Sequence, residues 1–409
     1  MKKSALFLLS ASILTLVGCG NNDDSNATKI ALVTDSGTLN DHNFNQTSWE
    51  AVNAWAAENG GGKINAKNNV VDSGSYRTMY YQPSAQTGDY NTAERVAAVD
   101  SAVEWGAKFV VLPGYLFQPV VKQVQDKYPN VCFLALDCVN QDSDNEYAEY
   151  NLKENVTMTK YREEQAGFLA GYGAVKDGLT KLGFIGGMAV PAVKRYGYGY
   201  IYGANAAAKE LNLADGTIKM DYYYAGAFVS TTEATQFATN WYNAGTETIF
   251  ACGGAVYNSV TTGLSQATNK DGKSWIGVDT NQHADTEIKP AGTREKLLTS
   301  AMKGLGSSIK SALTSWKNSD MKFNDNYAKK VLELGIKEDA VALPTETATG
   351  DKGCWGFKKW KESEYNTLVA DMKAGKVTVP NETPEAFPTS ETPKVALTMH
   401  ATTKASDSK

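Results

Sequence analysis

Short apolar runs alternate with longer stretches of helical period through most of this chain, and that alternation leaves few folds open. Strands are expected at Lys29–Asp35, Lys108–Gly114, Val131–Asp137, Lys181–Gly187, Lys219–Ala225, Thr248–Gly254 and Trp275–Asp279. Helical segments are expected between them at Asn43–Glu58, Thr92–Trp105, Arg162–Val175 and Ser230–Ala244. Strands that are apolar throughout are buried on both faces, so the pattern predicts an α/β protein with parallel sheets and helices on each side. Two runs of comparable size predict two doubly wound lobes. One is expected over 29–155 together with about 276–303. The other is expected over 156–275 with about 304–375 and a C-terminal recrossing. Residues 380–409 are rich in Thr, Pro, Ser and Glu and read as a loosely ordered tail.

The start of the chain addresses its compartment. Lys2 and Lys3 precede an apolar run from Ala5 to Val17, too short to span a bilayer as a helix. The run ends in Leu16-Val17-Gly18-Cys19, which reads as a signal peptide over 1–19 with a lipoprotein box and Cys19 as the lipidated residue. Several acyl chains on one cysteine suffice for stable anchoring, so the expected location is the extracytoplasmic side of the cell membrane. Residues 20–28 form a polar tether. Cys132, Cys138, Cys252 and Cys354 show no Cys-x-x-Cys spacing and read as small buried apolar residues. With 40 basic and 45 acidic residues the net charge is −5, which provides no basic field for nucleic acid.

In open parallel sheets, ligands bind beyond the carboxyl ends of the strands. Three expected strands deliver a carboxylate there: Asp35, Asp137 and Asp279. A fourth delivers the pair Gly253-Gly254. A single Asp after a strand ordinarily caps a helix or turn. Three at equivalent ends point to a polyol site, because a carboxylate accepts two hydrogen bonds from a vicinal diol. Phe44 at an expected helix start and Phe228 in a loop beside Gly226 and Ala227 each read as a local apolar plug or as a stacking surface for a flat ring. The aromatic segment Tyr196–Tyr202 reads as helix packing. His42, His283 and His400 form no metal-spaced pair, and His42 reads as a turn or cap residue. Asp271-Gly272-Lys273-Ser274 imitates the end of a phosphate loop but leads into a strand, not a helix.

Several motifs carry a resemblance. Val33-Thr34-Asp35-Ser36-Gly37, Asn40-Asp41-His42-Asn43-Phe44-Asn45-Gln46 and Trp49-Glu50 look like the opening of the basic membrane protein family, which includes purine nucleoside receptor lipoproteins of ABC importers. Arg162 to Gly171, Phe184-Ile185-Gly186-Gly187-Met188, Ala251-Cys252-Gly253-Gly254, Ile276-Gly277-Val278-Asp279 and Leu298 to Lys303 follow in family order. The resemblance implies the type I periplasmic-binding-protein fold, two lobes joined by hinge crossovers. It implies a base-stacking pair at Phe44 and Phe228, and ribose-binding acids at Asp35, Asp137 and Asp279. It also implies a backbone contact at Gly253 or Gly254, and Lys303 donating to a ribose oxygen. Asn45 is implied at the base edge or the ribose. Val229-Ser230-Thr231 and Ala255-Val256-Tyr257 depart from the family pattern, and 71–90 is longer than usual with a tyrosine-rich centre.

The expected function is therefore a substrate-binding lipoprotein that holds a purine nucleoside and partners ABC permease subunits, acting as a monomer without a cofactor or metal. A sensor lipoprotein, a binder of another sugar-containing or furanoid molecule, and a nucleoside-cleaving enzyme are the alternatives. The enzyme is disfavoured by the lack of a nucleophile motif or dense acidic cluster.

Overall fold

The computed structural model describes residues 26–35, 38–83, 91–383 and 387–401. The signal segment, Cys19 and most of the tether lie outside the described residues.

Two parallel sheets dominate. The first runs in the order Lys330–Leu334, Val156–Tyr161, Cys132–Leu136, Ala107–Pro113, Thr28–Val33, Tyr76–Tyr81. The second runs Val341–Ala342, Leu297–Lys303, Ser274–Asp279, Thr248–Cys252, Lys181–Gly186, Ile218–Tyr224, Val395–Met399, with only the short Val341–Ala342 antiparallel. Each central strand sends alternate side chains to opposite cores, which is why the strands are apolar throughout. Ile30 and Leu32 enter a core with Trp49, Trp55, Ile309 and Trp316. Ala31 and Val33 enter another with Val99, Val120 and Val124. In the second lobe Leu182 and Phe184 meet Leu169 and Tyr200, whereas Ile185 faces Trp241 and Val260.

The helices form where the period predicts: Phe44–Gly60, Thr92–Glu104, Glu163–Lys176 and Thr232–Ala244. Helices Glu163–Lys176 and Pro191–Glu210 lie unusually close. A Cβ on Gly203 would sit 2.0 Å from the Phe168 carbonyl oxygen, and one on Gly171 would sit 2.1 Å from that of Tyr200. The two backbones touch because these positions carry no side chain.

The division into lobes differs from the sequence expectation. Residues 276–303 were expected in lobe one, yet Ser274–Asp279 and Leu297–Lys303 lie in the second sheet. The reason is chain length. Only a short turn follows helix Tyr257–Gln266, so strand Ser274–Asp279 falls beside Thr248–Cys252 as a right-handed crossover unit. Conversely Val156–Tyr161 and Lys330–Leu334, expected in lobe two, complete the first sheet. The chain crosses between lobes three times, after Tyr161, after Lys303 and after Leu334. Helix Leu305–Asn318 goes with the first lobe, where Leu305, Ile309 and Leu313 share a core with Trp49 and Trp55.

The tail expectation is also corrected. Val395–Met399 pairs in parallel with Ile218–Tyr224, and the Phe387 ring packs on Tyr198 and Tyr222 at 5.0 and 4.8 Å. Apolar anchors inside a polar composition order this stretch. Residues 384–386 and 402–409 lie outside the described residues. The tyrosine-rich centre of 71–90 is the edge strand Tyr76–Tyr81, with Tyr76 against Trp55 and Tyr80 against Trp49.

Candidate functional site

The carboxyl ends of both sheets open onto one cavity of about 710 Å³. Every residue nominated from sequence lines it: Asp35, Phe44, Asn45, Asp137, Phe228, Gly253, Gly254, Asp279 and Lys303.

The first lobe builds its wall around Asp41. Helix Phe44–Gly60 has no side-chain cap from Asn43. Instead the buried Asp41 carboxylate accepts from the backbone N–H of Asn43, Asn45 and Gln46 at 3.0, 2.9 and 3.1 Å, which satisfies donors that a helix start leaves orphaned. Burial nonetheless raises the Asp41 carboxyl, against the lowering pull of those hydrogen bonds. Asn45 Nδ2 donates to Asp41 at 3.0 Å and to Asp35 at 3.2 Å. Two carboxylates thus fix the amide orientation, and Asn45 Oδ1 is a buried acceptor without a protein partner. Phe44 is positioned by this locked turn, and its ring stands 4.7 Å from Lys303 Nζ.

The second lobe supplies Phe228. Its carbonyl accepts from the Ala255 N–H at 2.9 Å. Its ring lies so near the loops that a Cβ on Gly187 or Gly253 would approach it to 2.5 or 3.0 Å. Glycine at those positions is what lets the ring seat at the cavity.

Between the lobes lies a buried charge cluster. Lys303 Nζ stands 2.5 Å from Asp137, 3.4 Å from Asp279 and 3.8 Å from Glu163. Glu163 also pairs with Arg195 at 2.5 Å, and Tyr196 donates to Asp279 at 3.2 Å. Burial alone would lower the Lys303 ammonium, but Asp137, Asp279 and Glu163 outweigh it and hold it above its ordinary range. Burial would raise Glu163, yet Arg195 and Lys303 bring it below the ordinary carboxylate value. Three carboxylates against two cations leave one excess negative charge. Burial pushes the Asp137 carboxyl up to about 7 against the pull of Lys303, with repulsion from Glu163 and Asp279 adding to it, and burial raises Asp279 as well. Asp137 Oδ1 has no protein partner. Asp137 and Asp279 both hold positive φ, 56° and 63°, a conformation uncommon for non-glycine residues.

Asp41, Glu163, Arg195 and Tyr196 escaped the sequence reading as site residues. Tyr196, expected to be helix packing, does pack in the second lobe's core, against Phe250, and it lines the cavity as well. Its signal was present in the position of the segment, the helix that follows strand Lys181–Gly186 at its ligand-facing end. The four cysteines among the described residues are unpaired and buried. Among the described residues no His, Cys, Asp and Glu grouping suits a metal ion, and no helix is long and apolar enough to cross a membrane.

Comparison with known proteins gives consistent relatives. A family model described as ABC transporter substrate-binding protein PnrA-like matches residues 27–361. The ABC transporter nucleoside-binding protein BmpA of Lactococcus lactis is 28% identical, over 91% of this chain and 96% of its own. The CD4+ T-cell-stimulating antigen of Listeria monocytogenes is 25% identical, over 92% and 98%. Among solved structures, an ABC transporter solute-binding protein from Aeropyrum pernix K1 aligns with a TM-score of 0.65 at 18% identity, covering 89% of this chain and 95% of its own. One from Conexibacter woesei aligns at 0.61 and 18% identity, covering 87% and 99%. These two structures share the type I binding-protein fold with this chain.

Proposed function

Because the chain belongs to the PnrA-like family of ABC transporter substrate-binding proteins, which are binding proteins and not enzymes, we propose that it captures a purine nucleoside between its lobes. The observation that carries this reading is the division of labour in the cavity. Phe44 and Phe228 come from opposite lobes and offer aromatic faces, while Asp137 and Asp279 offer acceptors and Lys303, 4.7 Å from the Phe44 ring, offers a donor. A flat base suits the rings, and a ribose diol suits the carboxylates. Unpartnered Asn45 Oδ1 and Asp137 Oδ1 await donors of the kind that a nucleoside carries. A ligand touching both lobes favours the closed form by its differential affinity. The closed form is then presented to the permease, with Cys19 as the lipid anchor holding the protein at the membrane.

Calorimetric titration of protein freed of co-purified ligand tests this, using guanosine, inosine, adenosine, cytidine and ribose. Purine nucleosides are expected to bind while ribose stays silent. Phe44→Ala and Asp279→Ala are each expected to weaken binding at least tenfold, about 1.4 kcal/mol. A folded protein that binds no nucleoside would overturn the reading.

A further inference from the structure

Glu163 opens helix Glu163–Lys176 of the second lobe and is fully buried. Its two oxygens are placed unequally. Oε2 accepts from Arg195 Nε at 2.5 Å. Oε1 is buried without a hydrogen-bond partner and lies 3.8 Å from Lys303 Nζ, beyond hydrogen-bond reach. A carboxylate oxygen left bare in the interior is costly and calls for a physical reason. Lys303 supplies one. It ends strand Leu297–Lys303 of the second sheet, yet its shortest contact, 2.5 Å, is to Asp137 of the first lobe. Asp279, 3.4 Å away, belongs to its own lobe, as does Glu163. The Phe44, Tyr161 and Tyr196 rings surround the ammonium at 4.7, 5.7 and 5.7 Å. Within the second lobe alone, Arg195 and Lys303 balance Glu163 and Asp279. Asp137 is the carboxylate that the first lobe adds.

We propose that Glu163 is a positioning residue for Lys303 and becomes its hydrogen-bonding partner when the lobes part. Opening, which the ligand-capture reading requires, takes Asp137 away. A buried ammonium that loses its closest carboxylate is strongly penalised unless another takes its place. Glu163 Oε1 is the acceptor within reach. A small rotation of the lysine end carries Nζ from 3.8 Å into hydrogen-bonding distance of it. The exchange keeps Lys303 paired in both forms, lowers the cost of opening and leaves the charges of the second lobe in balance. Closing returns the ammonium to Asp137 and leaves Oε1 bare, which is the arrangement observed.

Single-molecule energy transfer between dyes on Lys67→Cys and Lys270→Cys, one exposed site in each lobe, gives the closed-to-open ratio without ligand. Cys132, Cys138, Cys252 and Cys354 are buried, so the dyes go to the introduced thiols. At about pH 8 Asp137, raised to about 7 by burial, carries its charge. Glu163→Gln is expected to raise the ratio at least about threefold, because opening then strands Lys303. Glu163→Gln leaves Arg195 unpaired, so Glu163→Gln/Arg195→Met, which replaces the buried pair as a unit, is made alongside and is expected to raise the ratio too. Asp137→Asn is expected to lower it. In the Asp137→Asn background Glu163→Gln is expected to change the ratio little, a coupling that disturbed helix packing would not produce. Guanosine release by stopped flow, which rests on the nucleoside reading, is expected to slow in Glu163→Gln by the same factor. An unchanged or lower ratio in both Glu163 variants, or a rise that persists in full with Asp137→Asn, overturns the proposal. If guanosine fails to bind while the ratio still follows Glu163, the ligand reading falls and the exchange stands.

Discussion

Asp137 couples the site to the stability of the whole protein. Its carboxyl is ordinarily near 3.8 and is pushed up to about 7 in the folded protein. Between those values the folded protein keeps a proton that the unfolded chain has released. The stabilisation from this group is therefore complete below about pH 4 and is lost as pH rises towards 7. Asp137→Asn removes that titration. Urea midpoints of the ligand-free protein measured from about pH 5 to about pH 8 are expected to fall less steeply in the variant than in wild type. Glu164, also pushed up to about 7 by burial, remains in the variant and leaves part of the slope. Identical slopes would show that Asp137 is ionised throughout. At this scale the sequence was informative where chemistry is local. Asp35, Asp137, Gly253 and Asp279 could be nominated because a polar residue after an apolar run marks a strand end. Asp41, Glu163 and Arg195 could not, since their roles depend on which helix faces which strand across the cleft.

Between elements, the closest approach is that of helices Glu163–Lys176 and Pro191–Glu210. Glycine inside an exposed helix ordinarily costs stability relative to alanine. Here the sign reverses, because a side chain at Gly203 or Gly171 meets a backbone carbonyl that has nowhere to go. Gly203→Ala is expected to destabilise by roughly 1–3 kcal/mol, seen as a lower thermal midpoint. The same change at Gly306, where a Cβ would make only a contact of 3.6 Å with Ala51, should be far milder. Equal effects at the two sites would refute the packing argument. Four helices and seven of the interior strands were legible from period. One end of the first sheet was not: Val156–Tyr161 alternates threonines with apolar residues, and the edge strand Lys330–Leu334 is two-fifths polar. Their pairing is decided by neighbours far away in sequence, so their lobe was misassigned.

At the scale of the molecule, three crossings mean that neither lobe is a continuous stretch of chain. The first sheet needs Val156–Tyr161 and Lys330–Leu334 to be complete, and helix Leu305–Asn318 to cover Trp49 and Trp55. A fragment of residues 26–162 is accordingly expected to lack cooperative unfolding and to bind a dye for exposed apolar surface, while a chain joining it to 304–340 regains a sharp transition. A sharp transition in the shorter fragment would show that the cover is dispensable. The strand Val395–Met399 carries a further consequence, one of biosynthesis. Ribosomes deliver it long after Ile218–Tyr224, the strand that it flanks. Until that strand emerges, Ile218–Tyr224 is the border of its sheet, with a row of backbone N–H and C=O groups open to any other strand. Termination before Val395 therefore leaves an adhesive product, and only translation through Met399 seals it.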